Sequence, residues 1–320
     1  MSGDVFVIAE HRDGAILDPT YELLGRAKAL AGASGGEAVA VLLGSDVAGL
    51  AGSLGTAARV IVIDGPGLAS FSPTAYQAAL VPLVREREPA LVLVANSGSG
   101  MDVAAGLSAS LDLPLAAYAI DLAIDAGGPL VTCQLYAGKI QAKVRFAGGR
   151  GIVTAVAGSF PAEAGQSPGS PAVETVAPAA TDDRVRFVDL LRPEAGDVDI
   201  TRESVLVSVG RGIGEQENIE LVEALAAALG GAVSSSRPIA DLGWLPRTRQ
   251  VGKSGLKVKP RIYLALGISG APEHLEGMRG ADLIIAVNSD PRAPIFSVAH
   301  YGVVADLLDV VPALTARVGG

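Results

Sequence analysis

Cysteine is almost missing. The chain of 320 residues holds one, Cys133, which excludes an internal disulfide and a cysteine-rich metal site. A lone thiol fits a reducing compartment, and we expect a cytoplasmic protein. Histidine is also scarce: His11, His274 and His300 are the full set, too far apart in sequence for metal-ligand spacing. Positive charge is in deficit, with 25 basic against 34 acidic residues and a formal net charge of -9. Nucleic acid is therefore excluded as an expected partner, because phosphate backbones call for a basic surface. Long apolar runs are missing too. The longest uncharged stretch, residues 65–84, is broken by Pro66, Pro73 and Pro82, so no membrane insertion is expected. The opening MSGDVFVIAEHRDG has no basic leader and carries Asp4 and Glu10; no targeting segment is expected. Neither a strand-to-helix nucleophile elbow nor a Walker A loop occurs, and we expect no catalytic residues of its own.

What is present is an alternation of short apolar runs with amphipathic stretches. VFVIA (5–9), AVAVLL (38–43), ARVIVI (58–63) and ALVLVA (90–95) read as strands. Residues 19–31, 46–54 and 72–85 read as helices, the first with Asp18 as its N-cap and Pro19 in its first turn. Continuous apolar strands joined by helices indicate a parallel sheet covered on both sides. LVTCQLYAG, KIQAKVRFA and GIVTAVAG then read as consecutive antiparallel strands. Residues 158–182 are rich in Pro, Ala, Gly and Ser and show no period, as an inter-domain connection would. A second α/β unit follows, with strands at 204–210, 261–266 and 282–288, a helix at 215–230 and a closing strand end and helix. The expected fold class is α/β: two three-layer α/β/α domains with mainly parallel, Rossmann-like sheets, the first with an added antiparallel portion. The expected boundaries are 1–160, a connection over 161–200, and 201–320.

Four polar, glycine-bearing turns punctuate the second domain: GRGIG (210–214), SSSR (234–237), VGKSG (251–255) and GISGAPEH (267–274). Ligands in parallel sheets sit at the carboxyl ends of strands, where such turns converge. GRGIG lacks the G-x-G-x-x-G spacing and, taken alone, reads better as a tight strand-to-helix turn. In GISGAPEH, Gly267 and Gly270 permit close backbone approach, and His274 is placed either to donate to a ligand carbonyl or to cap its own turn. Residues 242–272 contain no acid but six bases, Arg247, Arg249, Lys253, Lys257, Lys259 and Arg261, a segregation suited to an anion. Lys257 and Lys259 read better as solvated. Asn288 and Asp290 either hold ribose hydroxyls or make local turns.

Carried by these residues, the stretch VGKSGLKVKPRIYLALGISGAPEHLEGM and the later AVNSDPRAPIFSVAHYGVVADLLDVVPAL resemble the C-terminal signature of the electron transfer flavoprotein α subunit. VSVGRGIGEQENIELVEALAAALGGAVSSSRPIADLGW and the opening VFVIAEHRDGAILDPTYELLGRAKAL are similar to the same family. The resemblance is tight over 204–313 and loose over 40–200. It implies FAD in the C-terminal domain and an N-terminal domain packed with a β subunit. It also implies electrons received from flavin dehydrogenases, such as those of fatty acid oxidation, and passed to a quinone oxidoreductase or another acceptor. A role in an electron-bifurcating, NADH-oxidising complex is the alternative.

The cofactor-contacting set that the resemblance implies is Gly212, Ser236, Arg237, Gln250, Val251, Lys253, Ser254, Gly255, Gly267, Ile268, Ser269, Gly270, Ala271, Glu273, His274, Asn288, Asp290, Asp306 and Leu307. Within it, Arg237 would cover the flavin ring, Ser236 lie near the pyrophosphate and Ser254 near N5. The 267–271 backbone, with Ser269, would approach the phosphate and ribityl region. His274 would donate to O2, and Asn288 and Asp306 would flank the adenosine. His274 and Arg237 would add positive charge where a reduced flavin is negative. Lys253 and Glu273 each stand where the family usually has Gln, His300 stands for a common acid, and CQLYAG replaces a common Arg-Pro-Tyr-Ala-Gly form.

Overall fold

The computed structural model describes residues 3–125, 127–136, 138–167, 169–178, 187–189 and 198–319. Contacts divide the chain into two units, Met1–Asp189 and Leu190–Gly320.

The first unit begins with strand β1 (Val5–Ala9), a two-residue hairpin β2 (His11–Arg12) and β3 (Ala15–Ile16), and helix α1 (Asp18–Ser34). It continues through β4 (Ala38–Gly44), β5 (Arg59–Asp64), α2 (Pro73–Arg87), β6 (Leu91–Ala95) and α3 (Gly98–Leu111). Then come β7 (Leu115–Asp125), β8 (Gly128–Leu135), β9 (Ile140–Arg145), β10 (Gly151–Ala155) and β11 (Ala172–Val176). The nine-stranded sheet runs β11-β5-β4-β1-β6-β10-β7-β8-β9. Side chains alternate along each strand, so one apolar run feeds both faces. Val5 and Val7 pack with Leu23, Leu24 and Leu30 of α1, while Phe6 and Ile8 pack with Leu80 and Leu83 of α2 and Leu107 of α3. This is why β1 carries no polar alternation.

Four sequence expectations change here. Residues Gly151–Ala155 are not part of an antiparallel run: β10 pairs parallel with β6 and β7. All five of its residues are buried, as expected of a strand covered on both faces. Only β7, β8 and β9 are mutually antiparallel. Asp18 is the first helical residue, and the N-cap is Leu17 with no side-chain cap. Helix 46–54 is a 3-10 helix, Ala48–Leu54. The stretch from 161 is not yet a connection. Its 3-10 turn, Ala162–Gly165, lies on α1, with Thr56 Oγ1 donating to the Gly165 carbonyl at 2.7 Å. The buried Glu22 carboxylate accepts from the N–H groups of Gly158 and Phe160. Next, β11 adds to β5 in parallel register. Being a mostly exposed edge strand, it shows no apolar run to announce itself. Of the remaining expected connection, 179–186 and 190–197 lie outside the described residues.

The second unit holds β12 (Val205–Val209), α4 (Ile219–Ala228), β13 (Ala232–Ser235), α5 (Arg237–Asp241), β14 (Ile262–Leu266), α6 (Pro272–Met278), β15 (Leu283–Asn288), β16 (Tyr301–Val304) and α7 (Leu307–Val318). Its five strands are all parallel, in the order β13-β12-β14-β15-β16. One face packs Leu206, Tyr263 and Ala265 under Leu275 and Met278 of α6. The other packs Val207, Leu264 and Leu266 under Val222 and Leu225 of α4 and Val311 of α7. Both units are therefore three-layer α/β folds.

Candidate functional site

In an all-parallel sheet every carboxyl end lies along one edge. The chain leaves β12 toward β13 on one side and returns to β14 on the other, so the crevice between β12 and β14 is the switch point where ligands bind. The predicted turns meet there. Gly210 N–H donates to the Leu266 carbonyl at 2.8 Å, and Gly212 N–H to the Gly267 carbonyl at 3.1 Å.

The bareness of these turns has a cause within the protein. A Cβ on Gly212 would sit 2.8 Å from Gly267 Cα, and one on Gly267 would meet both Gly212 and Leu307 Cδ2 at 2.8 Å. Gly267 and Gly270 also have φ of +61° and +86°, a region costly to any other residue. A Cβ on Gly270 would strike Ile295 N at 2.3 Å. The glycines let loops stack on loops, so the close backbone approach expected at Gly267 and Gly270 is made within the protein itself. The stacking leaves polar backbone groups unpaired. Among the described residues, the N–H groups of Ser269, Gly270 and Ala271 donate to no partner. Ser269 is exposed beside the buried Ile268.

The 251–255 turn docks against α6. Lys253 N–H donates to the Glu273 carbonyl at 2.7 Å, so these two family departures meet through the backbone, and both side chains are exposed. A Cβ on Gly255 would press on the Gln250 carbonyl at 2.3 Å. Buried Gln250 donates from Nε2 to Ser254 Oγ at 2.9 Å, which fixes the exposed serine. Val251 N–H reaches back to the Ser235 carbonyl at 2.8 Å. After β13, Ser236 is the buried residue that opens α5. Arg237 projects outward, its Nε 3.1 Å from Asp241 Oδ2 with 68% of the side chain exposed, so that pair contributes little to stability.

Asn288 donates from Nδ2 to the Ile268 carbonyl at 2.9 Å and accepts from Asp290 N–H at 2.9 Å. Asp290 in turn accepts from Arg292 N–H at 2.9 Å. Both make the local turns that stood as their second reading. Asp306 caps α7 by accepting from Leu308 N–H at 2.9 Å, and Leu307 is buried behind Gly267.

His274 departs most from expectation. It is 7% exposed, and both ring nitrogens have protein partners. Nδ1 lies 3.1 Å from the Val251 carbonyl, and Nε2 lies 2.9 Å from the Tyr263 hydroxyl. Burial lowers its pKa to about 4, against an opposing bond from Val251. At neutral pH the ring is uncharged, whereas Arg237 and Lys253 are exposed cations. The sequence reading also passed over the residues around it. Tyr263 is fully buried and its hydroxyl donates to Ser208 Oγ at 2.7 Å, and among the described residues the buried Oγ of Ser235 has no hydrogen-bond partner. The available signal was a tyrosine and serines inside otherwise apolar strands.

Comparison with known proteins decides the family. Residues 5–181 match the electron transfer flavoprotein domain, and residues 199–279 match the electron transfer flavoprotein FAD-binding domain. The chain belongs to the electron transfer flavoprotein α subunit family. It is 40% identical to the electron transfer flavoprotein subunit alpha of Syntrophomonas wolfei, covering 98% of each chain. It is 31% identical to that of Bacillus subtilis, over 98% of this chain and 97% of the relative. The acryloyl-CoA reductase electron transfer subunit beta of Anaerotignum propionicum is 33% identical, over 97% and 94%. The second unit is thus the FAD-binding part of an electron transfer flavoprotein α subunit, and the family implies a β subunit as partner. The residues present fit an anionic dinucleotide. The unpaired donors of Ser269, Gly270 and Ala271 suit phosphate, and the Ser254 hydroxyl and exposed Arg237 suit a polar ring edge. No helix is long and apolar enough to cross a membrane among the described residues.

Proposed function

We propose that this α subunit, paired with a β subunit, carries single electrons from flavin dehydrogenases to an acceptor such as a quinone oxidoreductase. The observation that carries this reading is the row of unpaired backbone donors at the β14 end, within the segment that matches the family's FAD-binding domain. When bound, FAD supplies the redox chemistry. The chain's own residues bind and orient it. Ser269, Gly270 and Ala271 offer N–H groups to the phosphates, and Ser254, held by Gln250, offers a hydroxyl to the ring. Arg237 and Lys253 place cations where reduction adds negative charge. Asn288 and Asp306 stand on the adenosine side, where they also fix the loops that line it. The test is stepwise reduction of the purified heterodimer with a flavin dehydrogenase and its substrate. Bleaching of one FAD per heterodimer, reversed by a quinone-linked acceptor, is expected; a flavin inert to every dehydrogenase tried would overturn the reading.

A second reading is favoured by the similarity to an electron transfer subunit of a dedicated reductase. In it, this chain carries one FAD of a bifurcating, NADH-oxidising complex. Two flavins per heterodimer and direct bleaching by NADH would select it.

A further inference from the structure

We propose that Gln250 is a positioning residue of the flavin site: its buried side-chain amide turns the Ser254 hydroxyl proton away from the loop, so that Ser254 donates it to the bound ring. This rests on the FAD reading, in which Ser254 faces N5 of the ring.

Gln250 is 5% exposed, and a buried amide without partners is a cost. Its backbone is held on both sides. The N–H donates to the Arg247 carbonyl at 3.1 Å, and the carbonyl accepts from Leu256 N–H at 2.8 Å. The residue also bridges to Ser235 in parallel register. The chain from Val251 to Gly255 then closes around the glutamine. A Cβ on Gly255 would lie 2.3 Å from the Gln250 carbonyl oxygen and 3.0 Å from Gln250 Cγ, so a larger residue would not pass. The turn is pinned to α6 as well. Lys253 N–H donates to the Glu273 carbonyl at 2.7 Å, and a Cβ on Gly277 would lie 2.4 Å from Gly252 N.

Within this fixed loop, Gln250 Nε2 donates to Ser254 Oγ at 2.9 Å. Ser254 is exposed, so water alone would satisfy its hydroxyl. The bond from a buried amide is not needed for solvation; what it supplies is direction. A hydroxyl has one proton and two lone pairs. Here one lone pair receives the amide N–H, so the proton cannot point back at that nitrogen. Among the described residues, Ser254 has no second side-chain partner. Its proton is therefore available to a ligand, and accepting one hydrogen bond strengthens a hydroxyl as donor in the next. Oxidised flavin carries a lone pair at N5, the partner such a donor requires.

The test uses the full-length chain co-produced with its second subunit, and two probes: FAD and 5-deaza-FAD, which has a C–H in place of N5. The wild type is expected to hold FAD about tenfold more tightly than 5-deaza-FAD, the worth of one hydrogen bond. Ser254→Ala is expected to bring the ratio close to one. Gln250→Met removes the amide and keeps the serine, and the ratio is expected to fall several-fold. At pH 8, Gln250→Glu places an acceptor where the amide was, draws the serine proton inward, and is expected to lower the ratio further. A second readout needs no added flavin. With 15N-glutamine labelling, the side-chain amide signal lost in Gln250→Met is expected to be slow to exchange with solvent, and to shift and exchange faster in Ser254→Ala. An unaltered signal in Ser254→Ala overturns the proposal without any Gln250 variant having to fold. So does a wild-type ratio near one, or a ratio that falls in Ser254→Ala but stays at the wild-type value in both Gln250 variants. Should the complex take up neither flavin, the FAD reading fails, and the amide signal then decides whether Gln250 holds Ser254.

Discussion

A neutral imidazole under a glycine turn responds to acid in one direction. Burial holds the folded-state pKa of His274 at about 4, against 6.5 for an ordinary histidine. Above about 6.5 neither state is protonated at this site, and its contribution to stability is whole. As pH falls from 6.5 to 4 the unfolded chain takes up a proton that the folded chain refuses, so stability drops. At about 1.4 kcal/mol per pH unit the loss is about 3 kcal/mol at most. Urea titrations across this window should show a falling midpoint in the wild type and a shallower fall in His274→Gln. Equal slopes would mean the ring is charged or solvated in the native state. The sequence offered this histidine two roles, donor to a ligand or cap of its own turn; its protein partners are the Tyr263 hydroxyl and the Val251 carbonyl, both outside its own turn. The reason is physical: the partners of a buried ring come from other elements, and Tyr263 and Val251 lie 11 and 23 residues from it in sequence.

At the scale of elements, the loops are held by stacking as much as by hydrogen bonds, and glycine substitutions separate conformational strain from lost space. Gly230→Ala has φ of +63° and nothing within 4 Å of the new Cβ, so it should cost about 1 kcal/mol. Gly270→Ala has a φ of +86° and a Cβ 2.3 Å from Ile295 N. It should cost more than Gly230→Ala, about 3 kcal/mol or above, and weaken FAD retention. Chemical denaturation of both variants checks this; equal losses would remove the stacking argument. The same scale shows what the chain made legible. Strands with both faces covered were readable as unbroken apolar runs, and β1, β4, β5, β6, β12 and β14 were all anticipated. GIVTA, where β10 forms, carried that signature too, but its place after two alternating strands suggested another hairpin. Nothing local marked β11, a mostly exposed edge strand, or β13, whose Ser234 and Ser235 read as the beginning of a turn. The site was legible as a set of turns, because glycine and serine mark strand ends, while the pairing of turn on turn depends on strand order.

For the whole molecule, each unit owns two apolar layers, and cofactor binding should act on one unit alone. The chain contains a single tryptophan, Trp244, packed at the edge of the second unit's core. Its fluorescence therefore reports that unit. At FAD concentrations about a hundredfold above Kd, the Trp244 melting transition should rise by an amount equivalent to about 2.7 kcal/mol. The first unit, followed by circular dichroism after the contribution of the second is subtracted, should be little changed. A common shift of both would show that the units unfold as one.

The outermost strand of the second sheet has a practical consequence. β16 pairs with β15 on one side, and Tyr301, Val303 and Val304 along it are 65%, 40% and 58% exposed. Parallel strands fold late, and an apolar rim with unpaired peptide groups can be copied by another molecule in the same position. Material made without a second subunit should therefore lose solubility on storage, in a concentration-dependent way, before it loses helical content. Light scattering at rising concentration measures this. Val303→Lys, which places a charge on the rim, should lengthen the lag several-fold while leaving the melting transition within about 0.5 kcal/mol. Shelf life, rather than thermal stability, is where an uncovered border of this kind would first be felt.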